Sequence, residues 1–331
     1  EAMHALGIPT TRALAAVATG ETVLREAPLP GAVLTRVAAS HVRVGTFQYL
    51  LARRDLEGLE ALTAHVIARH YPGADGAMGL LRAVTAAQGR LVAAWMAVGF
   101  VHGVMNTDNV AVSGETIDYG PCAFLDGYNP ETVFSSIDAY GRYAYRQQPN
   151  VAAWNLAQLA TALLPLMGGE AAIPEATAVV QGFAETYGAE WSRLFAAKIG
   201  LPADDPEAQP LASRLLDLMG STWADFTITF RALSGDGEVP AMLAGLPEFA
   251  EWRAVWEAKG PDLALMRRTN PAVIPRNHRI EAMIQAAVAG DLAPLEALRA
   301  SLATPFEAAP DDPLRLPPTE DEAVTRTFCG T

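Results

Sequence analysis

Cysteine and basic charge are both scarce in this chain of 331 residues. Its two cysteines, Cys122 and Cys329, are too few for the disulfide framework of a small secreted domain. Lysine and arginine number 24 against 37 acidic residues, which gives a formal net charge of −13. This negative excess disfavours general binding to nucleic acid or to an anionic membrane. We therefore expect neither as a partner.

Long apolar runs and targeting signals are also missing. No run reaches the roughly 18 uninterrupted apolar residues of a membrane span, and no signal-peptide pattern opens the chain. The first residue is Glu1 rather than methionine, so we expect the natural N-terminus to lie further upstream. Hydrophobic residues make up 50% of the chain, which is ample for the core of one large domain or two smaller ones.

Polar residues gather in one stretch, residues 102–120, which reads HGVMNTDNVAVSGETIDYG. Two strand-like pieces, 110–112 and 116–117, flank the turn-forming sequence Ser-Gly-Glu at 113–115. The pattern predicts a loop followed by a short hairpin with polar residues at both ends.

This hairpin would bring Asn109, at the end of the loop, close to Asp118, at the end of the second strand. Amide and carboxylate oxygens suit Mg²⁺, which commonly uses one or two protein ligands together with substrate phosphates. Asp108 is then a separate carboxylate that could accept a proton. On residue type alone, all three could instead be turn-stabilising residues.

The spacing resembles the catalytic core of the protein-kinase-like fold. In kinases, a metal-binding Asn comes after a His-x-Asp loop in the sequence. A hairpin then leads to the Asp-Phe-Gly element, whose Asp also binds metal. Here Asn109 stands seven residues after His102, and Asp118-Tyr119-Gly120 corresponds to Asp-Phe-Gly. The position of the kinase base is Val104, which cannot take a proton. The chain is therefore either inactive as a kinase or performs different chemistry on the nucleotide.

Longer strings resemble the selenoprotein O family over essentially the whole chain: HGVMNTDN, TIDYGP, Asp138 with GRYAYRQQP, and EAMHALGIPTTRAL near the start. The resemblance implies an α+β, protein-kinase-like fold. It implies a mostly helical large lobe and a remnant of the small β-containing lobe. Members of this family bind ATP in a flipped orientation and transfer AMP to protein hydroxyls. We expect a monomer, cytoplasmic in a bacterium or mitochondrial in a eukaryote.

The resemblance also assigns roles to single residues. Arg36 and Arg43 would bind the turned phosphates of ATP, for which the planar guanidinium is well suited. Without the family resemblance, the sequence would suggest only that they are surface arginines in ordinary salt bridges. Asp118 and Asn109 would together bind Mg²⁺ or Mn²⁺, and through this metal ion Asp118 would contact the nucleotide. Asp108 would take the proton of a Ser, Thr or Tyr hydroxyl on the protein substrate.

The family further pairs an activation-segment cysteine with a C-terminal one. Here these correspond to Cys122 and Cys329, so the resemblance implies a redox-sensitive disulfide that tethers the tail to the active site. Two unrelated reduced thiols are the alternative for an arbitrary cytosolic protein.

Apolar periodicity and turn residues predict the remaining organisation. Strands are expected at 13–18 and 22–26, around a turn at 19–21, and at 32–38 after Pro28 and Pro30. Helices are expected over 56–70, 78–98, 154–164, 175–197, 211–218, 223–233, 248–258 and 278–289. We divide the chain into the end of the small lobe (1–48), the helical large lobe with the catalytic loop and hairpin (49–304), and an extended tail with Cys329 (305–331).

Two other functions fit parts of this pattern. A catalytically inactive, redox-sensitive nucleotide-binding scaffold would agree with Val104 equally well. A small-molecule kinase resembling the aminoglycoside phosphotransferases also uses His-Gly followed by Asn, but there an Asp follows the Gly directly. Val104 at that position speaks against the second alternative.

Overall fold

The computed structural model describes residues 1–24, 28–309 and 311–328, and it is a mixed structure in which helices predominate. Within these residues the helices are α1 (Ala2–Ala5), α2 (Val44–Ala52), α3 (Leu56–His70), α4 (Gly76–Val98), α5 (Gln148–Leu163), α6 (Ile173–Lys198), α7 (Ala208–Thr222), α8 (Phe226–Leu233), α9 (Ala241–Ala244), α10 (Pro247–Ala258), α11 (Leu263–Thr269), α12 (Asn277–Val288) and α13 (Ala293–Ala303). The strands are β1 (Arg12–Leu24), β2 (Pro28–Val37), β3 (Phe100–Val101) and β4 (Ala123–Phe124).

Strands β1 and β2 form one long antiparallel hairpin, from Arg12 opposite Val37 to Leu24 opposite Pro28. The predicted turn at 19–21 is wrong, because β1 continues through it with an irregular register between Ala18 and Thr22. The segment predicted as a third strand is the second strand of this hairpin. The last two residues of the predicted strand 22–26 lie outside the described residues. A two-stranded ribbon has only edge strands, so proline is tolerated within β2.

Strands β3 and β4 pair antiparallel, with Phe100 opposite Phe124. They enclose the polar stretch 102–120, since the chain leaves the pair after Val101 and returns at Ala123. The predicted hairpin within that stretch is wrong. Its two halves find partners elsewhere: Ala111 forms an antiparallel bridge with Arg43, and Thr116 forms a parallel bridge with Thr10.

The hydrophobic core is organised around α4, which packs closely against α6 and α5. Gly89 of α4 allows the close approach to α6, because a Cβ there would lie 3.1 Å from the Thr186 side chain. The main cluster of buried apolar residues extends from Met3 to Ile274. None of the described residues of the β1–β2 hairpin belongs to it. The division into domains stays a prediction.

The helix predictions are confirmed where the apolar periodicity is long. Helix α3 has the predicted bounds, and α4 ends at Gly99 in the left-handed conformation expected of a helix stop. Helix α8 begins three residues later than predicted, because Trp223 is left-handed and Asp225 caps the helix through the Ile228 amide. None of the described helices is both long enough and apolar enough to cross a bilayer.

Candidate active site

The loop after β3 is anchored by His102, whose side chain is fully buried. Its Nε2 atom donates to the carbonyl oxygen of Ile117 at 2.8 Å, directly before Asp118. Burial lowers the pKa of His102, which keeps the imidazole neutral and able to donate at neutral pH. The histidine therefore fixes the backbone that carries Asp118.

Two side chains of helix α5 also hold the loop after β3 in place. The amide oxygen of Gln148 accepts from the backbone of His102 at 2.9 Å, and its nitrogen donates to Phe100 at 2.9 Å. Asn155, two turns further into the helix, donates to the carbonyl oxygen of Met105 at 2.9 Å. The sequence analysis missed both supporting residues, although Gln148 lies within the family string at 141–149.

Asn109 ends a short 3₁₀ turn that begins at Thr107. Its side-chain nitrogen donates to the carbonyl oxygen of Val104 at 2.9 Å. This bond fixes the orientation of the amide and leaves its oxygen as the atom available to a ligand.

Asp118 lies in the left-handed region, with φ of 59°, which aspartate tolerates better than most residues. Its carboxylate accepts from Arg36 Nη1 at 2.8 Å and contacts Arg43 Nη2 at 3.3 Å. Arg36 lies near the end of β2, and Arg43 is the N-cap of α2. The chain turns between these elements, so both guanidinium groups reach one carboxylate.

Asp108 and Asn109 point in different directions, although they are neighbours. The exposed Asp108 side chain lies against Gly45 in the first turn of α2, where a Cβ would overlap Asp108 Oδ1. The structure thus brings Arg36, Arg43 and Asp118 into contact and places Asp108 beside the same end of α2. The roles of all five predicted residues stay predictions.

The donor set agrees with a hard cation and a phosphate ligand. No group of three or more His, Cys, Asp and Glu side chains converges in the part of the chain that the structure describes. A cation here would therefore depend on Asn109 and Asp118 together with phosphate oxygens, as Mg²⁺ commonly does. Arg43 Nε is buried and has no hydrogen-bond partner among the described residues, so it is a donor that a phosphate oxygen could satisfy.

Cys122 is half-buried, and its thiol donates to the carbonyl oxygen of Tyr119 at 3.4 Å. Burial raises the pKa of this thiol to about 12. Cys329 lies outside the described residues, so the disulfide stays a prediction. The described tail does reach this region, because the hydroxyl of Thr327 donates to the carbonyl oxygen of Pro121 at 2.5 Å.

A buried ion cluster holds the chain in place after β4. Arg276, which is 1% exposed, donates to Asp225 at 2.8 Å and also to Asp126. Asp126 lies two residues after the end of β4, and Asp225 caps α8. Arg276 belongs to the string NPAVIPRN at 270–277, to which the sequence analysis assigned no chemistry.

Comparison with known proteins places the chain in a family. A family model described as "Protein adenylyltransferase SelO" matches residues 1–303. The chain is similar to the proteins named "Protein nucleotidyltransferase YdiU" in Jannaschia sp. (strain CCS1), with 58% identity over 345 residues, and in Roseobacter denitrificans, with 57% over 336 residues. The alignments cover 100% of this chain and 72% and 71% of those relatives. The YdiU protein of Bradyrhizobium sp. (strain BTAi1) is 52% identical over 353 residues. This chain therefore belongs to the SelO family of protein adenylyltransferases and is a nucleotidyltransferase.

Proposed function

We propose that this enzyme, on a kinase-like scaffold, transfers AMP from ATP to Ser, Thr or Tyr hydroxyls of proteins and releases pyrophosphate. The observation that carries the proposal is the contact of Arg36 and Arg43 with Asp118. Two cations that can bind phosphate thus lie at a carboxylate that can bind a metal, and we propose Asn109 as its second oxygen ligand.

The arginines and Asp118 have complementary roles in this scheme. Without nucleotide they neutralise each other, and the phosphates of ATP would compete with Asp118 for both guanidinium groups. The released carboxylate and the Asn109 amide oxygen would then hold Mg²⁺ or Mn²⁺. The metal supplies charge neutralisation as the bond between the α-phosphorus and the departing pyrophosphate breaks.

Asp108 is the proposed proton acceptor. The hydroxyl oxygen of the substrate protein forms the new bond to the α-phosphorus, and its proton passes to the Asp108 carboxylate. This carboxylate is exposed, so a residue on the surface of another protein can reach it. Val104, at the position of the kinase base, leaves Asp108 as the carboxylate of this loop.

The test compares ATP labelled at the α-phosphate with ATP labelled at the γ-phosphate, in the presence of Mg²⁺ and a cell extract that supplies acceptor proteins. We expect the label that depends on this enzyme to come only from the α-position, to be lost in Asp118→Ala and to be retained in Asp204→Ala, an exposed carboxylate outside the site. Label from the γ-position would restore an ordinary kinase. ATP binding without transfer from either position would leave the inactive scaffold. Hydroxylamine-resistant, acid-stable label mapped by mass spectrometry identifies the modified hydroxyls.

We also propose the disulfide between Cys122 and Cys329, supported by the contact of Thr327 with Pro121 next to Cys122. Peptide mapping without reductant, before and after treatment with dithiothreitol, tests it directly. A linked peptide that disappears on reduction is expected, and its absence from protein purified without reductant would contradict the pairing. The monomeric state and the cytoplasmic location stay predictions.

A further inference from the structure

A cavity of about 540 Å³ lies between α4 and α6, and none of Arg36, Arg43 and Asp118 lines it. Its wall also includes the chain at 6–9, before β1, and the turn at 113–114. This volume is within the range of pockets that hold small organic ligands.

Positive side chains converge on this cavity, although the protein as a whole is acidic. Four of them line it: Arg90, Arg193, Lys198 and Arg268. Arg193 pairs with Glu190 at 2.6 Å. Over the described ranges, Arg90, Arg268 and Lys198 have no carboxylate within 4.0 Å. The cavity therefore has an excess of positive charge that the protein itself does not neutralise.

Lys198 is the buried member of this set, with 2% of its surface exposed. Its ammonium donates to the Asn270 amide oxygen at 2.9 Å and lies 4.0 Å from the ring centroid of Phe230. A buried charge without a counter-charge is costly, and burial lowers the pKa of Lys198 to about 7. Asn270 and Phe230 do not line the cavity, so the side chains that could bind an anion there are Arg90, Arg193 and Arg268.

Part of the remaining wall is apolar. It includes Leu6 and Ile8 before β1, Leu91 and Ala94 on α4, and Leu194 on α6. Such a surface favours a ligand with an apolar body, because burying apolar area from both sides is favourable. An inorganic anion would leave it uncovered.

We propose that this cavity binds a small amphiphilic organic anion, with a phosphate, sulfonate or carboxylate group at Arg90 and Arg268 and an apolar body on the half-buried Ala94 and Leu194. The cavity also contacts the segment that carries Asp118. Ser113 and Gly114 form part of its wall, and Trp95 of α4 donates to the Thr116 hydroxyl at 2.9 Å. A ligand here would thus lie behind the candidate active site, separate from the nucleotide.

The test uses the dye 1-anilinonaphthalene-8-sulfonate, an aromatic anion, in a fluorescence titration without ATP. We expect Arg90→Gln and Arg268→Gln each to weaken the saturable binding about tenfold, and Arg214→Gln to leave it unchanged. Arg214 is exposed on α7, outside the cavity, and its substitution removes the same charge. Equal dye affinity in all three variants, or no saturable binding, would overturn the proposal. Because Arg90 and Arg268 are exposed, these variants should fold.

Two further measurements separate the charge from the apolar body. Phenyl phosphate should displace the dye at a lower concentration than inorganic phosphate does, and equal displacement would refute the amphiphilic part of the proposal. Ala94→Trp, which fills the cavity between α4 and α6, should abolish dye binding while circular dichroism shows the wild-type helix content. Neither measurement depends on adenylyl transfer, so a failure here leaves the proposed function untouched.

Discussion

Arg36 Nη1 lies 2.8 Å from Asp118 Oδ1, although 82 positions separate the two residues in the chain. Arg43 contacts the other oxygen of the same carboxylate. The two arginines proposed to bind phosphate are thus both in contact with the carboxylate proposed to bind the metal. Both arginines are more than a quarter exposed, so solvent weakens these pairs and ATP can compete for them.

The first prediction concerns the shape of these side chains. We expect Arg36→Lys and Arg43→Lys each to weaken Mg·ATP binding about tenfold, because an ammonium keeps the charge but loses the planar fork that holds two phosphate oxygens. Isothermal titration calorimetry measures the affinity. Arg214→Lys, on the surface of α7, is the control and should bind like the wild type. Wild-type affinity in both site variants would show that the arginines serve only to neutralise Asp118.

The second prediction tests the position of Asp108 through its neighbour. A Cβ at Gly45 would overlap the Asp108 carboxylate, so Gly45→Ala should displace the proposed base and lower kcat about a hundredfold. ATP affinity should change less than about twofold, since the change leaves Arg43 and Asp118 in place. Initial rates with α-labelled ATP give kcat.

Gly182→Ala is the matched control for Gly45→Ala. Gly182 lies on α6, where a Cβ would meet nothing within 4 Å, so the same substitution should raise helix stability without affecting the rate. A Gly45→Ala enzyme with normal kcat and an unchanged melting temperature would remove Asp108 from the mechanism.

The helices were predictable because their signals are local. The apolar spacing along α3 and α4 and the glycine that ends α4 are properties of neighbouring residues, and each segment buries its apolar face whichever element packs on it. The strand partners of residues 110–117 were not predictable in the same way. Backbone groups at Ala111 and Thr116 pair with segments about 70 and 106 residues earlier, and turn propensity contains no information about such partners.

The candidate site shows the same limit. The residue types predicted Asn109 and Asp118 as oxygen ligands, and the family resemblance predicted Arg36 and Arg43 as phosphate-binding residues. Nothing in the local pattern indicates that Gly45 makes room for Asp108, or that Gln148 and Asn155 support the loop from α5. These are contacts between elements distant in the chain, and they depend on how α2 and α5 pack.

The third prediction concerns the buried Arg276. Arg276→Met leaves the carboxylates of Asp126 and Asp225 without a cation, and breaking a buried pair in this way costs about 3–5 kcal/mol. Burial already raises the pKa of both carboxyl groups, and losing the arginine raises them further. The folded variant then binds more protons than the unfolded chain, so its stability increases as the pH falls from 7 towards 5.

Urea unfolding of Arg276→Met and of the wild type at pH 7 and pH 5 measures this effect. The loss of stability should be smaller at pH 5. Arg299→Met removes an exposed arginine that pairs with Glu296 on α13, and it should cost less than about 1 kcal/mol at either pH. An Arg276→Met penalty independent of pH would mean that the two carboxyl groups stay ionised, with water in place of the arginine.

The fourth prediction uses the lowered pKa of Lys198, about 7 in the folded protein against about 10.4 in an unfolded chain. Between these values the unfolded chain binds more protons at this residue, so Lys198 makes the free energy of unfolding increase with pH, by at most about 1.4 kcal/mol per pH unit. Below pH 7 both states are protonated and the contribution is constant.

Lys198→Met removes this dependence of stability on pH. The stability of the variant relative to the wild type should therefore fall between pH 7 and pH 10 in urea unfolding, whereas Lys259→Met, whose lysine is paired at the surface with Asp205, should show no such fall. A constant difference for Lys198→Met would mean that Lys198 keeps its charge throughout this range, stabilised by Asn270 and the ring of Phe230.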